Sequence, residues 1–314
     1  MQEIKEFAPV IIPTLNRYEH FKRCIESLER CTWAEKTDVY VALDFPPSDK
    51  YVEGWKKIDS YLKEKEQSNG FKKLIVYRRK ENYFFSGKGN LATAIKDLSE
   101  GTGCYIASED DNEFSPCFLD YMNKALTRYW DDECVTSVSG YNYPIDMGSY
   151  EKNIYAHHQF SAWGVGRWRH KTKPFPTELA NNVLKNPSMI LKILRKEPRM
   201  LFVLMSMISN QQQWGDALYV ADNIINGHYS IFPTVSLCRN HGHDGSGLHC
   251  GGQIEDSSDV YRNQVISTEP FFELDDIEIK EAKIPALKKF RSITCKEMAY
   301  HTKMYVKYLL SKKQ

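Results

Sequence analysis

Four short apolar runs punctuate the first 140 residues of the chain. They are VII at 10–12, DVYVALD at 38–44, KKLIVYRR at 72–79 and CYIA at 104–107. Most are rich in β-branched or aromatic residues, and polar or turn-forming residues follow each of them, which is typical of buried strands. The pattern therefore predicts four strands.

The stretches between these runs have the spacing of helices. Phe21, Cys24, Ile25 and Leu28 recur on one helical face after the first run, and segments 46–67 and 86–101 repeat the pattern. Strands that alternate with helices predict right-handed βαβ units and a parallel sheet.

Ligands bind beyond the carboxyl ends of the strands in such sheets. The residues that the sequence brings to this edge are Thr14, Asn16, Arg17, Asp44, Glu109, Asp110 and Asp111. This shared edge is the main indication of a functional site that the pattern alone provides.

The second half of the chain has a different pattern. Helices are expected at 115–132 and 214–229, a strand and loop at 134–144, and a strand at 230–240. An aromatic, glycine-bearing stretch covers 157–171, and a helical stretch interrupted at Pro187 and Pro198 has the character of an insertion at about 178–212.

Composition narrows the class of protein. The chain has 314 residues, of which 42% are hydrophobic, enough for one large domain or a domain with an appendage. A net charge of +1 gives no reason to expect a nucleic-acid partner. There is no signal-peptide pattern, and the richest apolar stretch, Met200–Ile208, is too short to span a membrane. Eight scattered cysteines indicate free thiols in a reducing cytoplasm.

The acidic run Glu109-Asp110-Asp111 has two interpretations. Two carboxylates about 4 Å apart repel by about 1 kcal/mol in water, and by more in a partly buried site. A divalent cation bound by carboxylate oxygens would offset this repulsion and could hold a diphosphate. Alternatively, the acids precede the helix that opens at Ser115-Pro116 and favour its dipole. Chemistry alone leaves both interpretations open.

The order of the segments resembles a known family. The segments VIIPTLNRYEHF, the strand-end Asp44, ENYFFSGKGNLATAI and ASEDDNEFSPCFLDYM resemble a nucleotide-sugar glycosyltransferase of the GT-A fold. The acidic run, FSAWGVGRW and QQWGDALYV are similar to the inverting N-acetylglucosaminyltransferase I type, and RNHGHDGSGLHC to bacterial relatives. The resemblance implies a mixed, mostly parallel α/β sheet flanked by helices, with a helical insertion and a C-terminal helical tail.

The resemblance also implies a division of the chain. A nucleotide-sugar-binding half would cover 1–140, an acceptor-binding half 141–255, and a basic helical extension 256–314. Within the first half, Asp111 would bind Mn²⁺ (or Mg²⁺), and through it the diphosphate of the donor. The implied nucleotide-sugar contacts are Thr14, Asn16, Arg17, Asp44, Glu109 and Asp110, with Asp44 at the base.

In the second half, the resemblance implies that Asp216 is the general base, with Asp222 in reserve. An inverting transfer needs one carboxylate to take the proton of the acceptor hydroxyl. The family usually has a second acid where Gly215 stands here. Trp163, Gly164 and His243 would form the wall around the sugar and the acceptor.

Two glycine-bearing loops are further candidates. Lys88, in Gly87-Lys88-Gly89-Asn90 before a helix, is expected to contact a phosphate, although a plain turn would have the same sequence. The loop 241–250 contains His241, His243, Asp244, His249 and Cys250. A lid over the donor, an ordinary loop and a zinc site all remain open for it.

These features predict a cytoplasmic, metal-dependent inverting glycosyltransferase of surface-polysaccharide synthesis. The donor would be a UDP-sugar and the acceptor a saccharide, free or lipid-linked. The basic tail from Lys283 could contact the inner face of an anionic membrane or pack on the domain. The alternatives are a glycan-binding scaffold and a sugar nucleotidyltransferase, although PTLNRYE lacks the glycines that the latter has after its first strand.

Overall fold

The computed structural model of the chain describes residues 3–98, 101–173, 176–246, 264–290 and 292–311. The strands are β1 (Val10–Thr14), β2 (Asp38–Leu43), β3 (Lys73–Arg78), β4 (Cys104–Ala107), β5 (Asn112–Phe114), β6 (Val135–Ser139), β7 (Ile154–His157), β8 (Val165–Trp168), β9 (Tyr229–Pro233) and β10 (Cys238–Asn240). The helices are α1 (Tyr18–Glu29), α2 (Asp49–Gln67), α3 (Asn90–Lys96), α4 (Phe118–Arg128), α5 (Leu179–Lys185), α6 (Pro187–Lys196), α7 (Pro198–Ser209), α8 (Gly215–Asn226), α9 (Pro285–Phe290) and α10 (Cys295–Ser311).

Within these ranges, eight strands form one sheet in the order β3-β2-β1-β4-β8-β6-β9-β7, while β5 and β10 form a separate pair. The β1–β2, β2–β3, β1–β4 and β6–β9 pairings are parallel. Strands β8 and β7 run antiparallel to their neighbours. The mixed, mostly parallel sheet flanked by helices that the sequence predicts is confirmed.

Both faces of the sheet are covered, as β1 shows. Val10 and Ile12 point into a core formed with α1, α2 and α4, while Ile11 points into a second core with α3 and α5–α8. All three side chains are fully buried. A strand buried on both faces has no need of alternating polar residues, so it is continuously apolar in the sequence.

The register fixes which residues share the carboxyl edge of the sheet. Thr14 pairs with Leu43, and Ala107 pairs with Val165, the first residue of β8. The segments that leave β1, β2 and β4 therefore emerge side by side, and so does the segment that enters β8.

The helical stretch in the second half packs on the second core. Pro187 and Pro198 occupy the first turns of α6 and α7, where a missing backbone N–H breaks no helical hydrogen bond. They begin helices in this protein. The apolar stretch from Met200 lies in α7 and buries Leu204 completely.

The C-terminal helix α10 packs against α7, and Ser206 Oγ lies 2.5 Å from His301 Nδ1. None of its residues is fully buried. Val306 and Leu310 are exposed beside Lys303 and Lys307. Among the residues described, no helix combines the length and the apolar character needed to cross a membrane.

Helix α2 positions the loop that follows β1. A Cβ atom at Gly54 would lie 2.0 Å from the backbone oxygen of Asn16, a distance that no real contact allows. The next residue, Trp55, donates from Nε1 to the backbone oxygen of Asp44 at 2.9 Å. Two adjacent residues of α2 thus touch the ends of β1 and β2.

Replacing Gly54 by alanine should destabilise the chain. In an exposed helix this change would stabilise by about 0.5–1 kcal/mol. Here the methyl group must displace the Asn16 backbone, and overpacking of this kind costs about 1–3 kcal/mol. Urea unfolding of Gly54→Ala measures the difference.

The matched control is Gly101→Ala, since a Cβ atom there meets nothing within 4 Å. A Gly54→Ala protein as stable as Gly101→Ala would show that α2 does not hold the loop in the way described.

Candidate functional site

The acidic run lies directly beyond β4, at the carboxyl edge of the sheet. Asp110 and Asp111 are each only 6% exposed. Buried carboxylates must be paired or hydrogen-bonded if they are to stay charged. The partners of these two residues therefore define the site.

The first partner is Arg17, from the loop after β1. Its guanidinium pairs with Asp110, and its Nη1 lies 2.8 Å from Asp111 Oδ2. Thr14 Oγ1 donates to Asp110 Oδ2 at 2.9 Å. Arg17 thus spans both aspartates. The resemblance predicts that Arg17 contacts the nucleotide. In the structure, its guanidinium points toward Asp110 and Asp111.

The second partner comes from the strand pair β5–β10. Asn240 Nδ2 donates to Asp111 Oδ1 at 2.6 Å, and the backbone N–H of His241 donates to the Asp111 backbone oxygen at 2.8 Å. The next residue must be glycine, because a Cβ atom at Gly242 would lie 2.3 Å from Asp111 Oδ2. The RNHG segment is therefore built against Asp111.

The rest of the histidine-rich loop has separate partners in the described part of the chain. His241 Nε2 lies 2.7 Å from Glu113 Oε2, and His20 Nε2 lies 2.9 Å from Asp244 Oδ2. The His243 ring packs edge-on against Trp163, with 5.6 Å between ring centroids. These three loop residues do not converge on one metal. His249 and Cys250 lie outside the described residues.

The site holds more negative charge than Arg17 offsets. Burial raises the pKa of Glu109 to about 8, and the charges of Asp111, Asp216 and Asp110 add to the effect. Burial also raises the pKa of Asp110, although Arg17 opposes the shift. Carboxylate oxygens in such excess fit a hard divalent cation such as Mn²⁺ or Mg²⁺.

Asp216 lies near the acidic run and opens onto a cavity. It is in the first turn of α8, and its charge acts on Glu109. The cavity has a volume of about 490 Å³. Its lining includes Tyr141, Tyr143, Trp163, Glu197, Arg199, Trp214, Asp216 and His243. The structure brings Trp163 and His243 into the same cavity as Asp216.

The other predicted wall residue, Gly164, has a backbone role. Its φ is +65°, and a Cβ atom there would lie 3.0 Å from the Phe118 ring. Its carbonyl accepts from the Gly140 N–H at 2.8 Å. The reserve base, Asp222, lines a different cavity, which it shares with Arg167 and Lys171.

Two predicted nucleotide contacts have local partners. Asp44 accepts from the backbone N–H groups of Phe45, Tyr83 and Phe84 at 2.7–3.0 Å, so its carboxylate anchors the loop after β3. Lys88 pairs with Glu81 in that same loop.

The residues that sequence reasoning missed are Asn240, Gly242, Glu113, Glu197 and Arg199. Asn240 and Gly242 stand in a motif that the sequence singled out, but only the β5–β10 pairing shows that they face Asp111. Glu197 and Arg199 lie at the start of α7 in the insertion, and no local signal marks them.

No protein-family model matches the chain, and no curated protein matches it. Solved structures do match. A crystal structure of S. aureus TarS 1-349 is 15% identical with a TM-score of 0.40, and the match covers 74% of this chain and 58% of that one. The mannosyltransferase PcManGT from Pyrobaculum calidifontis, in complex with GDP-Man and Mn2+, is 14% identical with a TM-score of 0.38, covering 70% and 69%. What the chain does is therefore inferred from its own side chains.

The raised pKa of Glu109 predicts a pH-dependent stability. Between pH 4.5, the ordinary pKa of a glutamate, and about pH 8, Glu109 keeps its proton in the folded chain and loses it in the unfolded chain. The free energy of unfolding therefore falls as the pH rises through this window, by at most about 1.4 kcal/mol per pH unit for one proton. Glu109→Gln should remove this loss, so it should match the wild type near pH 4.5 and exceed it at pH 8. Unfolding in chelator across this range tests it.

Glu113→Gln is a control of opposite sign. The hydrogen bond with His241 lowers the pKa of Glu113, so its carboxylate stabilises the fold at neutral pH and the contribution fades on acidification. This variant should be less stable than the wild type at neutral pH. If the free energy of unfolding changes equally with pH in Glu109→Gln and in the wild type, the pKa of Glu109 is not raised as described.

Proposed function

We propose that the chain is a metal-dependent glycosyltransferase that moves a sugar from a nucleotide-sugar donor to a saccharide acceptor. The observation that supports this is the placement of two buried aspartates, Asp110 and Asp111, at the edge of an α/β sheet, with Asp216 nearby on an aromatic-lined cavity. The two buried aspartates suit the binding of a cation and, through it, a diphosphate. The aromatic cavity suits a sugar, and Asp216 suits the role of general base.

Asp111 would hold the Mn²⁺ or Mg²⁺, and Glu109 and Asp110 would contact the nucleotide sugar. When bound, the cation neutralises charge on the diphosphate of the leaving group. Asn240 orients Asp111 through a hydrogen bond. The single guanidinium of Arg17 pairs with both Asp110 and Asp111 and holds them in place. Arg17 would have to release Asp111 for the cation to bind, and its place on a loop and its partial exposure favour such a movement.

Asp216 would act as the general base of a single displacement. The acceptor hydroxyl gives its proton to the Asp216 carboxylate, and its oxygen forms a bond with the anomeric carbon. The bond from that carbon to the phosphate oxygen breaks, and its electron pair leaves with the nucleoside diphosphate. Attack opposite the leaving group inverts the anomeric centre.

Trp163, Trp214 and His243 support a saccharide ligand in this cavity, since the apolar faces of sugars pack on aromatic rings. The proposed donor is a UDP-sugar, and the proposed pathway is the synthesis of a surface polysaccharide in the cytoplasm. A lipid-linked acceptor would agree with contact between α10 and an anionic membrane, where Lys303, Lys307 and exposed Leu310 would face the lipid.

One observation favours a second candidate, a glycan-binding protein on a transferase fold. Arg17 already pairs with both Asp110 and Asp111. A site that had lost its cation would keep such an internal counter-charge. Metal-dependent nucleotide binding separates the two candidates.

Thermal unfolding with Mn²⁺ and each common nucleoside diphosphate, alone and combined, tests the proposal. One nucleotide should stabilise the chain only when Mn²⁺ is present. A ligand at about 100 times its dissociation constant adds about 2.7 kcal/mol to the free energy of unfolding. Asp111→Asn, which keeps the shape of the side chain, should abolish this gain.

Asp146→Asn is the matched control, because Asp146 is an exposed aspartate that accepts from the Gly148 N–H in its own loop. It should behave as the wild type. A nucleotide shift without Mn²⁺, or one that Asp111→Asn retains, would favour the glycan-binding or scaffold candidate.

A further inference from the structure

A second cluster of metal-ligating side chains lies at the opposite edge of the sheet. His157 ends β7, and His158 follows it. His157 pairs with Ser230 at the start of β9, whereas the carboxyl edge is at Pro233, which pairs with Ile154. Glu281 reaches this cluster from the C-terminal segment, where the Ala282 N–H donates to the Ala156 carbonyl at 2.9 Å. The side chains of His157, His158 and Glu281 can each offer one ligand atom, and these atoms lie within 4.8 Å of one another.

Each of the three side chains is held by its outer atom. His158 Nε2 lies 3.0 Å from Glu197 Oε2, and Lys196 Nζ donates to Glu281 Oε2 at 2.5 Å. His157 Nδ1 accepts from the Gln159 N–H at 3.3 Å. Ligands of protein-bound metals are oriented by outer partners, as Glu197 behind His158 and Lys196 behind Glu281 would be; the contact of His157 Nδ1 is not of this kind, because a metal-bound histidine donates from its outer nitrogen.

The inner atoms face one another. His157 Nε2 and His158 Nδ1 each lie 3.8 Å from Glu281 Oε1. Because His158 Nε2 donates to Glu197, the Nδ1 of a neutral His158 carries a lone pair. A lone pair that faces a carboxylate oxygen needs a positive species between them, either a proton or a metal ion.

Acceptor atoms accumulate around this point. Glu197 and Gln159 are 5% and 0% exposed. Among the described residues, no donor reaches Glu197 Oε1 or Gln159 Oε1. Buried acceptors without partners are costly, so these two oxygen atoms need a donor that the described residues do not supply.

We propose that His157, His158 and Glu281 form a zinc site, separate from the acidic run, that fastens the C-terminal segment to β7. Two imidazoles and a carboxylate are a common zinc set, with water as the fourth ligand. Zinc bonds of about 2.0–2.2 Å put ligand atoms about 3.3 Å apart, so the two histidine–Glu281 separations of 3.8 Å would have to shorten by about 0.5 Å. In His157 the imidazole proton moves from Nε2 to Nδ1 and the long bond from Gln159 is given up.

The site would act on stability and not on the transfer reaction. Glu281 belongs to the C-terminal segment, so bound zinc would tie the segment around 280–284 to the edge strand β7. Protons compete with zinc for histidine ligands, so zinc affinity should fall on acidification.

Zinc binding to the full-length chain tests the proposal. The Asp111→Asn protein, which lacks the proposed manganese ligand, is stripped with chelator and titrated with Zn²⁺ alone by calorimetry at pH 7.5. The Asp111→Asn protein should bind one more equivalent of Zn²⁺ than the double variant that also carries Glu281→Gln. Glu197→Gln should weaken that equivalent by about 10–100-fold, since it removes only the partner of His158.

His170→Gln is the matched control, because His170 is an exposed histidine beside Trp130, after β8, and β6 and β9 separate that strand from β7 in the sheet. It should leave zinc uptake unchanged. Tryptic cleavage after Lys280 and Lys283 gives a second readout, and zinc should slow it except in Glu281→Gln.

Equal zinc uptake by the parent and Glu281→Gln would overturn the proposal. So would the absence of zinc uptake by the parent, in which case a proton fills the gap between His158 and Glu281. Because Glu281→Gln is a change at a partly exposed side chain, a failure to fold is not expected to obscure the result.

Discussion

The burial of adjacent carboxylates at the end of β4 determines how the whole carboxyl edge of the sheet is built. Asp110 and Asp111 are buried together with their partners, which are Thr14 at the end of β1, Arg17 in the loop that follows it, and Asn240 of β10. Each partner requires its own support. Gly54 lets α2 pack against the Arg17 loop, and the absence of a side chain at Gly242 leaves room for Asp111.

Arg17 alone does not balance this charge. Arg17 pairs with Asp110 and Asp111, while burial and the charges of Asp111, Asp216 and Asp110 raise the pKa of Glu109. An edge of this kind is prepared to bind positive charge, and the aromatic cavity beside Asp216 adds a place for a sugar. The same physical requirement recurs at the opposite edge, where the carboxylate of Glu281 faces the lone pair of His158.

Local pattern was enough to predict the sheet and the position of the acidic run. Strand β1 is apolar because both of its faces are buried, and parallel strands place Thr14 and Asp111 at one edge. The pairing of β5 with β10 could not be predicted, because 126 residues separate Asn112 from Cys238 and neither strand is apolar enough to stand out. Asp44 shows a further limit: its position at a strand end was predicted, but its bonds to Tyr83 and Phe84 depend on how a later loop folds back.

The most direct measurement is the release of nucleoside diphosphate from a panel of nucleotide sugars, followed by chromatography with and without Mn²⁺. If the acidic edge binds the cation that holds the donor, one donor should be cleaved in the presence of Mn²⁺, and Asp111→Asn should abolish the cleavage while Asp146→Asn leaves it unchanged. Cleavage that persists in Asp111→Asn, or no cleavage of any donor with Mn²⁺ or Mg²⁺, would contradict the account.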